Sequence, residues 1–345
     1  MNTESISFEK DGLRILVTDR VISRCLDTLS RQRSDGHDWT IGDSYSDAEI
    51  IDILPDMDVF VCSKMSTAMA RAGSKLKLVH VPGAGFDSVA VEALRRGVIV
   101  ANTFHHGPSI AEHVVMVSLM LSRRVLECDR EMRAGLWRGA GTDSEVPFGR
   151  NLNGRTIGLV GIGEIGVQVA KLSAAFGMRV QAVRHDRSAK VPEGVQLDWV
   201  GGVDELPRLM STSDIIVVSV PLNDSTKGLI DADAIALMSP TAFLINVARG
   251  AIVDERALYE ALLSKSIGGA GLDVWWTSPY GEGRPPGANF PFADFDNVIM
   301  TPHNSGSTRE TFEGRAQDIA DNIANLQANL PLFNVIHGPL TGLRT

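Results

Sequence analysis

Short apolar runs alternate with longer amphipathic stretches along most of this chain. Arg14–Val17, Val59–Cys62, Leu76–Val81 and Val98–Asn102 read as strands, with helical patterns such as Asp47–Ile53 and Val89–Arg96 between them. A second series follows: Thr156–Val160, Arg179–Val183, Ile215–Val220, Ala242–Val247, Gly268–Val274 and Val298–Thr301. These runs have the continuous Val, Ile and Leu character of strands buried on both faces of a parallel sheet. Strand–helix alternation of this kind predicts an α/β architecture. Two capping-box sequences mark helix starts. Ser109-Ile-Ala-Glu112, preceded by Pro108, predicts a buried, very apolar helix to about Glu127, and Ser307-Thr-Arg-Glu310 predicts a C-terminal helix to about Asn329. The Gly- and Pro-punctuated stretch GEGRPPGAN, starting at Gly281, reads as a loop.

Composition narrows the function classes. A length of 345 residues suits two domains of ordinary size, and 44% apolar with 22% charged residues is typical of a soluble globular chain. The formal net charge of -9 argues against nucleic acid as a partner, since phosphate backbones need a basic footprint. A small anionic substrate needs only a local cluster of positive groups. Cys25, Cys62 and Cys128 show no CxxC spacing, so neither a metal site nor a disulfide framework is expected. With no signal-peptide pattern in MNTESISFEKDG and no long apolar run, a cytoplasmic protein without a membrane span is expected.

The clearest chemical signal is TIGLVGIGEIG, Thr156 to Gly166. A strand runs into Gly161-x-Gly163-x-x-Gly166, a helical pattern Val167–Phe176 follows, and then the strand Arg179–Val183. In that context the glycines mark a dinucleotide site. Gly161 permits the tight turn, Gly163 lets backbone approach a pyrophosphate, and Gly166 lets the helix pack close to the sheet. The helix N-terminus offers free N–H groups and a positive dipole to the phosphates. An acid at the end of the second strand would hold the ribose of NAD, whereas a 2′-phosphate calls for arginine. The first residue there is Arg184, with Arg187 and Ser188 close by and Asp186 as a competing acid. The sequence therefore favours NADP over NAD.

Further motifs fall in a definite order: PGAGFDSV from Pro82, HGPSIAEHVV from His106, NVARGAIVDERAL from Asn246, GLDV from Gly271 and TPHNSGST from Thr301. Together with the glycine fingerprint they span nearly the whole chain, and on them the sequence resembles the D-isomer-specific 2-hydroxyacid dehydrogenases. The resemblance implies two Rossmann-like domains with parallel sheets. A flavodoxin-like substrate domain would be discontinuous, 1–104 and 304–345, with a dinucleotide-binding domain inserted at 105–303. It further implies an active site in the cleft and a homodimer formed through the cofactor domain. The implied activity is NAD(P)H-dependent reduction of a small 2-oxo acid of the glyoxylate or hydroxypyruvate type. His303 and Arg249 would be catalytic, and the backbone amides of Ala84 and Gly85 would hold the substrate carboxylate, with His106 nearby. Cofactor contacts would come from Ile165, Pro221, Val247 and Asp273 beside the glycines.

The residue types suit that chemistry. Reducing a 2-oxo acid needs a hydride, a proton for the carbonyl oxygen, and positive or N–H groups for carbonyl and carboxylate. His303 follows a strand's carboxyl end, where open α/β sheets place ligands, and an imidazole gives and takes protons near neutrality. Arg249 follows another strand end, and its fork holds a carboxylate in two bonds; the alternative is a salt bridge to Asp254 or Glu255. Lys64, past a third strand end, reads either as added positive charge or as a solvated lysine. His113, inside the predicted helix, reads as structural.

One position departs from the pattern. Most members carry a glutamate five residues after the GLDV aspartate, where it orients the catalytic histidine. Counting from Asp273 gives Ser278. A serine can orient an imidazole by one hydrogen bond but brings no negative charge. Reduction should therefore fall off at lower pH than in relatives with the acid, and Ser278→Glu should move that limb upward. A pH–rate profile unchanged by the substitution would mean that Ser278 does not neighbour His303. Formate dehydrogenases share the DVW strand end and the H-x-S-G of His303–Gly306, which keeps a formate- or phosphite-type dehydrogenase as an alternative. They carry asparagine where His106 stands, which counts against it. A dinucleotide-sensing binding protein is a third reading. The pocket is expected to depend on Met65, Phe104, His106, Trp275 and Trp276, the tryptophans serving either as a bulky wall or as packing.

Overall fold

The computed structural model describes residues 12–25, 36–277 and 287–338. The chain forms two compact units, Met1–His105 with Thr308–Thr345, and His106–Ser307. The second crossing falls after Ser307 rather than after His303. The reason is local: the backbone N–H groups of Asn304 and Ser305 donate to Asp273, which ties this loop to the second unit.

The first unit holds strands β1 (Arg14–Val17), β2 (Asp38–Ile41), β3 (Val59–Val61), β4 (Leu78–His80) and β5 (Ile99–Ala101), with β13 (Val335–His337) returning late in the chain. Their order is β13-β5-β4-β3-β1-β2, parallel except for β13 against β5. Without β13 this is the 2-1-3-4-5 order of flavodoxin-like sheets. Helices α1 (Asp47–Ile53) and α2 (Thr67–Ala72) belong to this unit. Ser46 caps α1 in a full capping box with Glu49. The helical pattern over Val89–Arg96 yields only a 3-10 turn, Val91–Ala93. Backbone bonds from Met65 to Ser88 and from Ala90 to Met65 hold its start extended.

The second unit holds β6 (Thr156–Val160), β7 (Arg179–Val183), β8 (Trp199–Gly201), β9 (Ile215–Val218), β10 (Phe243–Asn246), β11 (Gly269–Leu272) and β12 (Val298–Met300). They pair in the order β12-β11-β10-β9-β6-β7-β8, all parallel. The order reverses beside β6, which creates the crevice where doubly wound sheets bind ligands. The helices are α3 (Gly107–Arg123), α4 (Val125–Arg133), α5 (Glu164–Ala175), α6 (Leu206–Thr212), α7 (Ala232–Ala236) and α8 (Glu255–Leu263). The expected capping box at Ser109 does not form. The helix begins earlier, at Gly107, with His106 at its N-cap and Pro108 in the first turn, where a missing N–H costs nothing. It also ends earlier, at a left-handed Arg124, so the apolar pattern running to Glu127 belongs to two helices. Helix α3 packs on α5 and against β11, where Gly271 makes room: a Cβ there would sit 2.4 Å from Val117 Cγ1.

A final helix, α9 (Arg309–Gln327), returns to the first unit and buries Ala316, Ile319, Ala320 and Ile323 as one stripe against its sheet. Its cap is Thr308, whose hydroxyl accepts from Thr311 N, rather than Ser307. Among the described residues no helix is long and apolar enough to cross a membrane.

Candidate active site

Because every strand of the second sheet is parallel, all its carboxyl ends lie on one edge. The glycine turn after β6, Arg184 after β7, Pro221 after β9, Val247 and Arg249 after β10, Asp273 after β11 and His303 after β12 all fall on that edge.

The glycine turn fits a pyrophosphate. Gly161 has φ +98°, and a Cβ there would meet Val220 Cγ1 at 2.7 Å. A Cβ on Gly166 would meet Gly161 O at 2.4 Å, so α5 can approach the turn only with glycine at both positions. Ser219 Oγ donates to Gly161 O at 3.1 Å and braces the turn. Gly163, the N-cap of α5, differs: a Cβ there would meet nothing within 4 Å. The space before the helix N-terminus is open, and the first-turn N–H groups face it. Ile165 is half-buried beside this turn and Pro221 is exposed. Val247 is buried in the core, so any contact it makes with a bound molecule runs through its backbone.

The residues after β7 are engaged locally. Arg184 curls over its own loop, donating to the carbonyls of Ala189 and Lys190. Arg187 makes two bonds to Asp204, at 2.6 and 2.9 Å, in an exposed pair. Asp186 accepts from both the N–H and the hydroxyl of Ser188, and those bonds hold its carboxyl below the usual range.

Arg249 sits on a stapled loop. Asn246, fully buried, donates to Arg249 O at 3.0 Å and accepts from Ala248 N at 3.1 Å. Next to it, a Cβ on Gly250 would lie 2.3 Å from the carbonyl carbon of Trp275, so the loop is pressed against the β11 exit. The partners considered for a structural salt bridge are used elsewhere. Asp254 caps α8 through Ala257 N, and Glu255 takes the backbone and side-chain nitrogens of Asn289.

His303 is exposed and left-handed, with φ +57°. A β-carbon makes that conformation costly, so the surroundings must impose it. Asp273, 1% exposed, is the main restraint. One carboxylate oxygen accepts from Thr301 Oγ1 at 2.6 Å and Asn304 N at 2.9 Å, and the other accepts from Ser305 N at 3.0 Å. His106 leans on the same loop, since a Cβ on Gly306 would be 3.2 Å from His106 Cβ. His113 on α3 is half-buried; burial lowers its pKa while the Asp273 charge opposes the shift.

The tryptophans resolve into packing residues. Trp275 Nε1 donates to Thr301 O at 3.0 Å and Trp276 Nε1 to Val253 O at 2.7 Å. Trp276 also stacks on the buried Phe292, with centroids 5.4 Å apart. Met65, expected to shape a pocket, is buried in the core of the first unit. Ser278 lies outside the described residues, as do residues 279–286, including most of the stretch from Gly281 read as a loop.

In the first unit, Ala84 O accepts from the buried Asn102 Nδ2 at 2.9 Å, which fixes the glycine-rich turn after β4 and leaves Gly85 exposed. Arg315 of α9 donates to Phe104 O, and its guanidinium would lie 3.9 Å from a Cβ on Gly83. Lys64 is exposed just past β3. Asn246, Asn102 and Arg315 are additions to the residues expected from sequence. A readable signal existed for Asn246: an amide inside the apolar run Ala242–Val247 must have a partner.

Comparison with known proteins agrees with this geometry. Residues 115–305 match the model of the NAD binding domain of the D-isomer specific 2-hydroxyacid dehydrogenases. The chain is 32% identical over 332 residues to a D-3-phosphoglycerate dehydrogenase of Synechocystis, covering 94% of this chain and 56% of that protein. It therefore spans little more than half of that relative's length. It is 34% identical over 333 residues to a glyoxylate reductase of Aeropyrum pernix, covering 92% of this chain and 94% of the relative. The crystal structure of the TT0316 protein from Thermus thermophilus is similar with a TM-score of 0.79 at 30% identity, covering 94% of this chain and all of that one. With its fingerprint, its sheet order and these matches, the chain belongs to the D-isomer specific 2-hydroxyacid dehydrogenase family.

Proposed function

We propose that this protein is an NAD(P)H-dependent reductase of small 2-oxo acids, of the glyoxylate or hydroxypyruvate type. One observation carries the reading: Arg249 and His303 stand on the same sheet edge as the glycine turn, on loops flanking β11, and both loops are braced from β11. A bound nicotinamide supplies the hydride. His303, exposed on its strained turn, gives the carbonyl oxygen its proton and takes it back in the reverse direction. The Arg249 guanidinium polarises the carbonyl and holds the carboxylate. The family resemblance would add carboxylate-binding N–H groups from Ala84 and Gly85, positive charge from Lys64 and a substrate contact from His106. Gly161, Gly163 and Gly166 shape the pyrophosphate cradle.

NADPH is the preferred cofactor on this reading. Arg184 and Arg187 stand at the end of β7 and would exchange the loop carbonyls and Asp204 that they now hold for the oxygens of a 2′-phosphate, while Asp186 has turned its carboxylate to Ser188. The chain works as a homodimer through the second unit. Support comes from an exposed apolar series on and after α4: Val125, Leu126, Met132 and Leu136, then Trp137 at 77% and Phe148 at 85% exposure. Such a patch favours a protein contact.

The test is a steady-state panel. The purified protein is offered NADPH or NADH with a range of 2-oxo acids, then NADP or NAD in their oxidised forms with formate or phosphite. Turnover of a 2-oxo acid with the lower KM for NADPH is expected. Formate or phosphite oxidation alone would shift the assignment to an anion dehydrogenase, and tight dinucleotide binding without turnover would leave only a sensing role. Sedimentation velocity on the same preparation is expected to give a dimer.

A further inference from the structure

We infer that Trp275 is a positioning residue for His303, acting through the carbonyl of Thr301. The inference rests on the reductase reading above for its kinetic consequences, but its geometry stands within the second unit alone.

His303 holds φ +57° with a full side chain, two residues beyond Thr301 and one before Asn304. A single tether would let the turn relax, so both flanks must be held. The downstream flank is held by Asp273 through the N–H groups of Asn304 and Ser305. The upstream flank is Thr301, just past the end of β12. Its N–H still reaches Leu272 O at 2.9 Å and its hydroxyl reaches Asp273, while its carbonyl is met by the Trp275 indole at 3.0 Å. Pro302, which follows, has no N–H to contribute.

Trp275 is itself anchored. Its ring meets Trp276 edge-on, with centroids 6.5 Å apart, and Trp276 is fixed by its stack on Phe292 and its bond to Val253 O. Its backbone also backs Gly250, the neighbour of Arg249. One residue thus touches both loops that carry the proposed catalytic groups.

The consequence is specific. Losing the indole N–H frees the Thr301 carbonyl and loosens the turn, which misaims the imidazole when the proton moves. Arg249 still binds the substrate. The loss should appear in kcat and not in KM. Trp275→Phe keeps most of the ring packing and removes only the donor.

The test compares wild type and Trp275→Phe in two arms. Hydrogen exchange across residues 301–307, measured without substrate, is expected to be about tenfold faster in the variant, in line with one lost hydrogen bond. With the 2-oxo acid and cofactor that wild type uses, kcat is expected to fall about tenfold while KM stays within about twofold. Wild-type exchange over 301–307 in the variant would overturn the inference, as would faster exchange with an unchanged kcat. If wild type reduces no 2-oxo acid, the reductase reading fails, and the exchange arm alone decides the role of Trp275.

Discussion

Replacing Asp273 by alanine should abolish most activity and destabilise the second unit together. The carboxylate is buried and accepts from one hydroxyl and two backbone N–H groups. Removing it leaves those donors without their acceptor, at about 1–3 kcal/mol for a buried unsatisfied group, or roughly 3 kcal/mol for the set after partial rehydration. For a unit of about 200 residues that lowers the melting temperature by some 6–12 °C. The His303 turn loses its downstream restraint, and a catalytic group misplaced by about 1 Å costs on the order of 100-fold in rate. Asp273→Asn should fall between, because its amide NH2 faces N–H donors where an oxygen stood. Calorimetry and steady-state kinetics on the same samples check this. A variant with unchanged melting temperature and only weakened dinucleotide binding would show that Asp273 serves the cofactor and not the loop.

The first unit should be acid-sensitive through His80. This residue ends β4 and is fully buried, with Nε2 accepting from Asn322 Nδ2 at 2.9 Å. Asn322 is also fully buried and in turn pairs with both backbone groups of Phe333. Burial pushes the His80 pKa down to about 3 from an ordinary 6.5. A base whose folded pKa lies below its unfolded one is protonated preferentially in the unfolded chain. Its contribution is therefore complete above pH 6.5 and erodes as pH falls towards 3. At 1.36 kcal/mol per pH unit, stability near pH 4.5 should be lower by about 2–3 kcal/mol than near pH 7.5 on this account alone. His80→Gln keeps an acceptor for Asn322 without a titrating ring, so it should lose that part of the pH dependence. Urea unfolding of both proteins at the two pH values measures it. Parallel pH dependences would show that His80 takes up its proton in the folded unit as readily as in the unfolded chain, which would overturn this account.

What the chain discloses in one dimension is what depends on local pattern. Strands buried on both faces, such as Thr156–Val160 and Ile215–Val218, read as continuous apolar runs because no face of theirs meets water. The glycine fingerprint was equally legible, since Gly161 and Gly166 answer to steric needs of one turn and Gly163 leaves open space before the helix. Three of the four edge strands were not. Asp38–Ile41, Trp199–Gly201 and Val335–His337 are short and half-exposed, and pairing with a neighbour, not their own pattern, makes them strands. Capping boxes also misled at Ser109 and Ser307, where chain entry moved the cap by a residue or more.

The sequence alone therefore determined the two α/β units, the dinucleotide turn and the places of Arg249 and His303 just past strand ends, because motif spacing and burial pattern are local. Side-chain direction is not local. That Asp273 points to the His303 loop, that Trp275 reaches Thr301 across 26 residues, and that Asn322 meets His80 across 242 residues are settled by packing. The two adjacent tryptophans at the exit of β11 belong to this second class. Their composition invited a pocket wall, and only the tertiary contacts made them struts, because a buried indole N–H must find an acceptor and the nearest ones were the carbonyls of Thr301 and Val253.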